Sequence, residues 1–144
     1  MTLVELLVVL GVIGLIVGMG VPALTAYSRQ IRLKTATRQL MGLVSLARST
    51  AISSHEEHAV VVDPESREIR VINTASGEAL EPILRLPASV SLEMEVGGQS
   101  VGEPHVVFRP TGSLTGRSVS LVLSDGLKQQ TIVVTGPTGA VTIQ

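Results

Sequence analysis

Residues 6–28 carry no charged side chain, and a lone carboxylate, Glu5, stands just before them. The opening MTLVELLVVLGVIGLIVGMGVPALTAYS is long enough to cross a bilayer core as a helix, for which about 20 apolar residues suffice. A carboxylate at the margin of such a run is costly in lipid and normally has a partner. A simple anchor gains nothing from Glu5, whereas a helix that docks beside similar helices can use it. A secretory signal peptide requires a basic region first, then a short apolar stretch and a small-residue cleavage site. Here nothing basic precedes the run, and no clean cleavage site follows before Pro22. The segment reads as a retained anchor.

Charge is partitioned along the chain. From residue 29 to 48 there are five bases (Arg29, Arg32, Lys34, Arg38, Arg48) and no acid, while from residue 51 onward there are six bases and eleven acids. A basic segment therefore joins the apolar start to an acidic remainder. Bases on the C-terminal side of the run favour a cytoplasmic head under the positive-inside rule. Either the head stays there, or a basic leader precedes this chain. Cysteine is absent, which excludes disulfide and thiolate chemistry, and Tyr27 and Phe108 are the only aromatics. The core of the head must come from Val, Leu and Ile.

Leu33, Thr37, Leu40, Val44, Ala47 and Ala51 recur at alternating spacings of four and three, on one helical face. Lys34, Arg38 and Arg48 lie off that stripe. No proline interrupts residues 23–52, so one helix is expected from Thr2 to about Ser53. Gly11, Gly14, Gly18 and Gly20 weaken its first half, and Pro22 removes a backbone donor. Two readings stay open: small residues allow close helix packing, or the stretch 14–22 bends or melts.

Beyond Ser54 the pattern becomes short alternating strands, expected at 58–62, 68–72, 83–86, 90–96, 105–109, 118–123, 130–134 and 140–143. Asp63-Pro64 opens a turn, Gly97-Gly98 closes the fourth strand, and Asp125-Gly126 signals a hairpin. Eight strands in some ninety residues suggest a β-sandwich or a pair of sheets, with the long helix covering one sheet face.

Catalytic signatures are lacking. His55-Glu56-Glu57-His58 is the only cluster of metal-ligand types, but its histidines are three apart, not the four of a zinc hydrolase helix. It reads as a solvated polar junction, and His105 as an edge residue. No serine sits in a nucleophile elbow, and no glycine-rich phosphate loop opens a helix. No enzyme, cofactor or metal is expected. The basic run 29–48 could meet phosphates. It has no aromatic for base stacking, so its bases read instead as a solvated helix face or as contacts to anionic headgroups and acidic neighbours.

The stretch MTLVELLVVL (1–10) resembles the processed N-terminus of type IV pilins and pseudopilins. In that family a prepilin peptidase removes a short basic leader ending in glycine, and the new first residue, usually Phe, is N-methylated. Met1 stands in that place here. The resemblance implies an absent leader, which would resolve the charge conflict. Glu5 matches the family glutamate that neutralises a neighbouring subunit's terminal amine, an arrangement an apolar bundle tolerates because the charges are paired. Pro22 matches a recurrent family proline. In the head, FRPTGSLTG (108–116), with Phe108, Gly112 and Gly116, resembles the GspH/FimT family, and GPTGAVTI (136–143), with Gly139, fits its last strand. DNA-binding members carry a Gly-Arg-x-Arg pattern there. Gly139 is followed by Ala140, Val141 and Thr142, so both arginines are missing and specific nucleic-acid binding is not expected.

The resemblance implies an α+β, type IV pilin-like fold. Residues 1–28 would be the transmembrane and filament-core helix, 29–53 its amphipathic continuation, and 54–144 a β-rich periplasmic head. The implied function is that of a minor pseudopilin in a type II secretion pseudopilus; the alternative is a minor or major pilin of a type IV pilus, including a DNA-uptake pilin. Implied partners are other pilins in a helical filament, the inner-membrane assembly platform, the prepilin peptidase, and the bilayer before assembly. A plain anchor displaying a β-domain is a further alternative.

Overall fold

A computed structural model describes residues 2–102 and 105–144, with the backbone alone described for 19–26. Met1, and with it the processing and methylation reading, lies outside the described residues, as do the side-chain surroundings of Gly20 and Pro22.

The first element is a single α-helix, α1 (Leu3–Ser54), of 52 residues. At about 1.5 Å per residue it is roughly 78 Å long. The backbone stays helical through Gly14, Gly18 and Pro22. The helix ends at His55, which adopts the left-handed conformation (φ 57°, ψ 28°) that stops helices without a glycine only at some steric cost.

Nine strands follow among the described residues, and all pair antiparallel. One sheet has the order β3 (Ala79–Arg85), β2 (Glu68–Asn73), β1 (His58–Asp63), β6 (His105–Phe108). The other has the order β5 (Gln99–Val101), β4 (Ser91–Val96), β7 (Val119–Ser124), β8 (Gln129–Val134), β9 (Val141–Ile143). Eight of these strands coincide with the sequence expectation to within a few residues. The ninth, β5, was not expected because Gln99-Ser100-Val101 is short and polar. Gly97 and Gly98, at φ 62° and 82°, close β4 as expected and also form the two-residue turn that pairs Val96 with Gln99 and Met94 with Val101. β3 starts four residues earlier than expected, since Pro82 is tolerated at a sheet edge.

The helix does not cover one sheet face, as expected from the sequence; it packs against strands of both sheets. Each sheet turns an alternating apolar row toward it, such as Val119, Leu121 and Leu123 of β7 and Ile69 and Val71 of β2. The stripe Leu33, Thr37, Leu40, Val44, Ala47 and Ala51 is buried throughout, joined by Ala36 and Leu43. The hydroxyl of Thr37, the one polar side chain in that row, donates to the Leu33 carbonyl at 2.8 Å, which satisfies it within its own helix. Phe108 on β6, 0% exposed, is the largest fully buried side chain.

Candidate assembly surfaces

Two regions hold the residues singled out by the sequence. The first is the free half of α1. From Leu3 to Val17 its apolar side chains are exposed on every face, from 50% at Leu6 and Val9 to 78% at Leu3. Gly11, Gly14 and Gly18 belong to this half, and a Cβ added at any of them would meet nothing within 4 Å. A helix apolar all round is stable only when something else surrounds it. Among the described residues no helix is long and apolar enough to cross a membrane.

Glu5 sits in the first turn of this half. Thr2 is the N-cap: the Glu5 amide donates to Thr2 Oγ1 at 3.3 Å, and the Thr2 amide donates to Glu5 Oε2 at 3.3 Å. This reciprocal capping box satisfies two end amides and places a carboxylate at the positive end of the helix dipole. Glu5 therefore has an internal partner in the isolated chain. The Thr-x-x-Glu spacing announces the motif, and the sequence reading passed over Thr2.

The second region is the pair of loops that carries the head motif. Phe108 anchors the first loop in the core and bridges to Leu114. Within it the Gly112 amide donates to the Arg109 carbonyl, and the Arg109 amide to the Ser113 carbonyl, each at 2.8 Å. The second loop is stitched to the first where the Leu114 amide donates to the Gly136 carbonyl at 2.8 Å. Gly112 (φ 79°) and Gly139 (φ 62°) both occupy the left-handed region that glycine enters without penalty. A Cβ at Gly139 would lie 1.9 Å from the Gly112 oxygen, and one at Gly112 would lie 2.7 Å from Ile52 Cδ1 on α1. Gly116 borders the same junction: a Cβ at Gly136 would lie 2.9 Å from the Gly116 oxygen.

Arg48 closes the junction from the helix side. It is half-buried and its Nε donates to the Gly112 carbonyl at 3.2 Å. The expectation that Arg48 is part of a solvated face is thus corrected, while Lys34 and Arg38 are exposed. Nothing local in the sequence announces a contact that spans 64 positions.

The polar junction 55–58 is only partly solvated. His58 is 2% exposed, with Nδ1 at 3.2 Å from the Glu56 carbonyl. The carboxylate of Glu56 accepts from the Asn73 side-chain amide, and the Glu57 carbonyl accepts from the Thr74 amide and hydroxyl. These groups fasten the helix end to the β2–β3 turn. Among the described residues no three His, Asp or Glu side chains are grouped to hold a metal ion.

A long N-terminal helix that is buried in its second half by two antiparallel sheets and bare in its first half defines a pilin-like subunit. Solved structures that share this fold include the type IV minor pilin FimU of Pseudomonas aeruginosa (TM-score 0.64, 15% identity, over 82% of this chain and 92% of that one) and the minor pseudopilin EpsH of the Vibrio cholerae type II secretion system (TM-score 0.63, 15% identity, over 78% and 92%). No curated protein matches the chain in sequence. The sequence model of the family described as type II transport protein GspH matches residues 36–139, and the chain belongs to that family. It is accordingly a pseudopilin-type structural subunit.

Proposed function

We infer that the chain is a minor pseudopilin of a type II secretion pseudopilus, held first in the inner membrane by its N-terminal helix and then moved into a helical bundle of similar helices. The observation that carries this reading is the contrast within α1: one face of residues 33–51 is buried by the head, while residues 3–17 expose apolar side chains on all faces. Such a surface needs either lipid or other helices around it. The uncharged run 6–28 of the sequence, counted with residues 19–26 whose side chains lie outside the described ones, is long enough for the former.

In this reading Glu5 guides docking by pairing with a neighbour's terminal amine, exchanging its capping contact for an ion pair shielded from water. Gly11, Gly14, Gly18 and Pro22 let the helix pack closely or loosen as it leaves lipid, in keeping with their low helix propensity. Met1 is the processed residue that the prepilin peptidase exposes and that is then methylated, and the assembly platform lies at the inner membrane. The head faces the periplasm, contacts other pilins, and helps initiate the filament. The role is structural rather than catalytic. The missing arginines after Gly139 speak against a DNA-uptake role.

The test compares wild type with Glu5→Leu in the native host. Incorporation into sheared filaments and secretion into the medium are measured. Lost incorporation with normal membrane insertion supports docking through Glu5. Lost secretion with intact pili assigns the type II system, whereas lost pili with intact secretion assigns a type IV pilus. Unchanged incorporation and secretion overturn the paired-charge mechanism and favour a plain anchor.

A further inference from the structure

Where α1 leaves the head, three features meet that the filament reading does not use. The apolar run ends at Ser28, and Arg29 and Arg32 follow within one turn. Both arginines line an open cleft of about 470 Å³ with Ser28, Ser89 and Asp125. The β7–β8 hairpin reaches the same level, because the Lys128 ammonium donates to the Gln30 side chain at 3.3 Å. At the tip of that hairpin Leu127 is 76% exposed, the most exposed large apolar side chain of the head.

The charge balance of this rim is positive. Its bases are Arg29, Arg32 and Lys128, and its acid is Asp125. The ion pairs of the described residues use Arg70 and Arg85, not these three bases. Asp125 is occupied by its own turn, with Oδ1 accepting from the amides of Leu127 at 2.9 Å and Lys128 at 2.7 Å. Those bonds hold its carboxyl below the usual carboxylate range and direct its charge into the hairpin. The same bonds, with Gly126 at φ 84°, fix the tip that presents Leu127. Tyr27, one residue before the run ends, is 67% exposed.

Bases beside an apolar side chain and an aromatic, all at the end of a long apolar helix, form the pattern of a membrane-water interface. We propose that this rim of the head, formed by Arg29, Arg32, Lys128 and Leu127, docks on the anionic headgroup layer of the bilayer before assembly, with Leu127 entering the acyl boundary. The proposal rests on the membrane-held state inferred above. Its occupant follows from continuity with the apolar run and from the sign of the rim's charge. The head, and the helix locked into it, would thereby be held against the membrane at one tilt and one rotation.

The absence of cysteine makes the test direct. The full chain is reconstituted into vesicles of phosphatidylcholine, with or without about a third phosphatidylglycerol to supply the negative surface potential that attracts basic segments. A fluorophore is placed on Leu127→Cys, on Val12→Cys in the apolar half, or on Ala75→Cys. Position 75 lies at the far end of the head, beside the contact of Thr74 with Glu57, about 36 Å from Gln30 along α1. Quenching by nitroxide lipids reports depth.

The expected result is quenching at Val12 by mid-chain nitroxides, and quenching at Leu127 by headgroup nitroxides that is stronger in anionic vesicles. Ala75 should be unaffected. Replacing each rim base by Gln should lower the docked ratio about fivefold, at about 1 kcal/mol per base near an anionic surface. Quenching at Val12 with Leu127 no more quenched than Ala75 would overturn the docking proposal and leave the membrane reading standing. No quenching at Val12 would overturn both. Equal quenching of Leu127 in neutral and anionic vesicles, or no effect of the Gln substitutions, would overturn the recognition of anionic lipid.

Discussion

Arg48 and Gly112 are joined by a hydrogen bond of 3.2 Å from Nε to the backbone carbonyl, across 64 positions of chain. The same carbonyl oxygen leaves no room for a side chain at residue 139. Helix, first motif loop and second motif loop therefore share one atom as their meeting point, and that is the physical content of the glycines in the head motif.

Gly139→Ala should be the most damaging of the small substitutions. The new methyl would meet the Gly112 oxygen at 1.9 Å and the residue would keep a positive φ. A cost of about 2–4 kcal/mol is expected, read as a lower midpoint in chemical denaturation of the full chain in mild detergent. An unchanged midpoint would show that the two loops separate freely.

Arg48→Ala should cost about 1–2 kcal/mol, since a charged donor to a half-buried carbonyl is lost along with the packing of the arginine stem. Arg38→Ala, on the exposed face, should stay within about 0.5 kcal/mol. Similar losses for the two would sink the assignment of Arg48 to the junction.

Gly42→Ala should act in the opposite direction. Gly42 is exposed in the middle of α1, and an added Cβ meets nothing within 4 Å. Replacing it should stabilise the chain by about 0.5–1 kcal/mol. A loss of stability in the same denaturation assay would reveal a packing role for that bare position.

Thr2→Val removes the side-chain half of the capping box and should weaken the first turn by about 1 kcal/mol. Amide exchange at Glu5 should then rise about fivefold. Filament incorporation should fall less than for Glu5→Leu, because the carboxylate that the proposed docking uses is still present. Equal losses for the two substitutions would make the cap, rather than the charge, the important element.

The β7–β8 tip should open in acid. The Asp125 carboxyl is held low by the amides of Lys128 and Leu127, so the folded state binds its proton more weakly than the unfolded chain. The resulting stabilisation is present above about pH 4, the ordinary aspartate value, and is lost as pH falls through the lowered folded-state value. Amide protection at Leu127 and Lys128 should decline over that interval, and Asp125→Asn should remove the dependence. Protection that is flat with pH would contradict the turn chemistry described for Asp125.

Much of the fold could be read from periodicity. The row Leu33 to Ala51 is buried as its spacing requires, and alternation located eight strands, because a half-buried element must match its apolar period to its geometry. What escaped depends on partners far away in sequence. β5 exists because the Gly97-Gly98 turn places Gln99-Ser100-Val101 beside β4, not because those residues favour a strand. Leu43 is buried because α1 lies against two sheets, which widens its apolar face beyond the stripe. The site was legible to a similar degree. Gly112 and Gly139 were marked by motif, but their contact with Arg48 is tertiary, and Thr2 was legible but unread.

One consequence follows from a single helix serving as both stalk and core. Because residues 33–51 are locked among the strands, the head has no swivel of its own. Turning the stalk by one residue's step, about 100°, carries the whole head through the same angle. The contact between a stalk and its neighbours thus fixes the compass bearing of everything the head displays, and a filament of such subunits sets its outer relief by the twist at its axis.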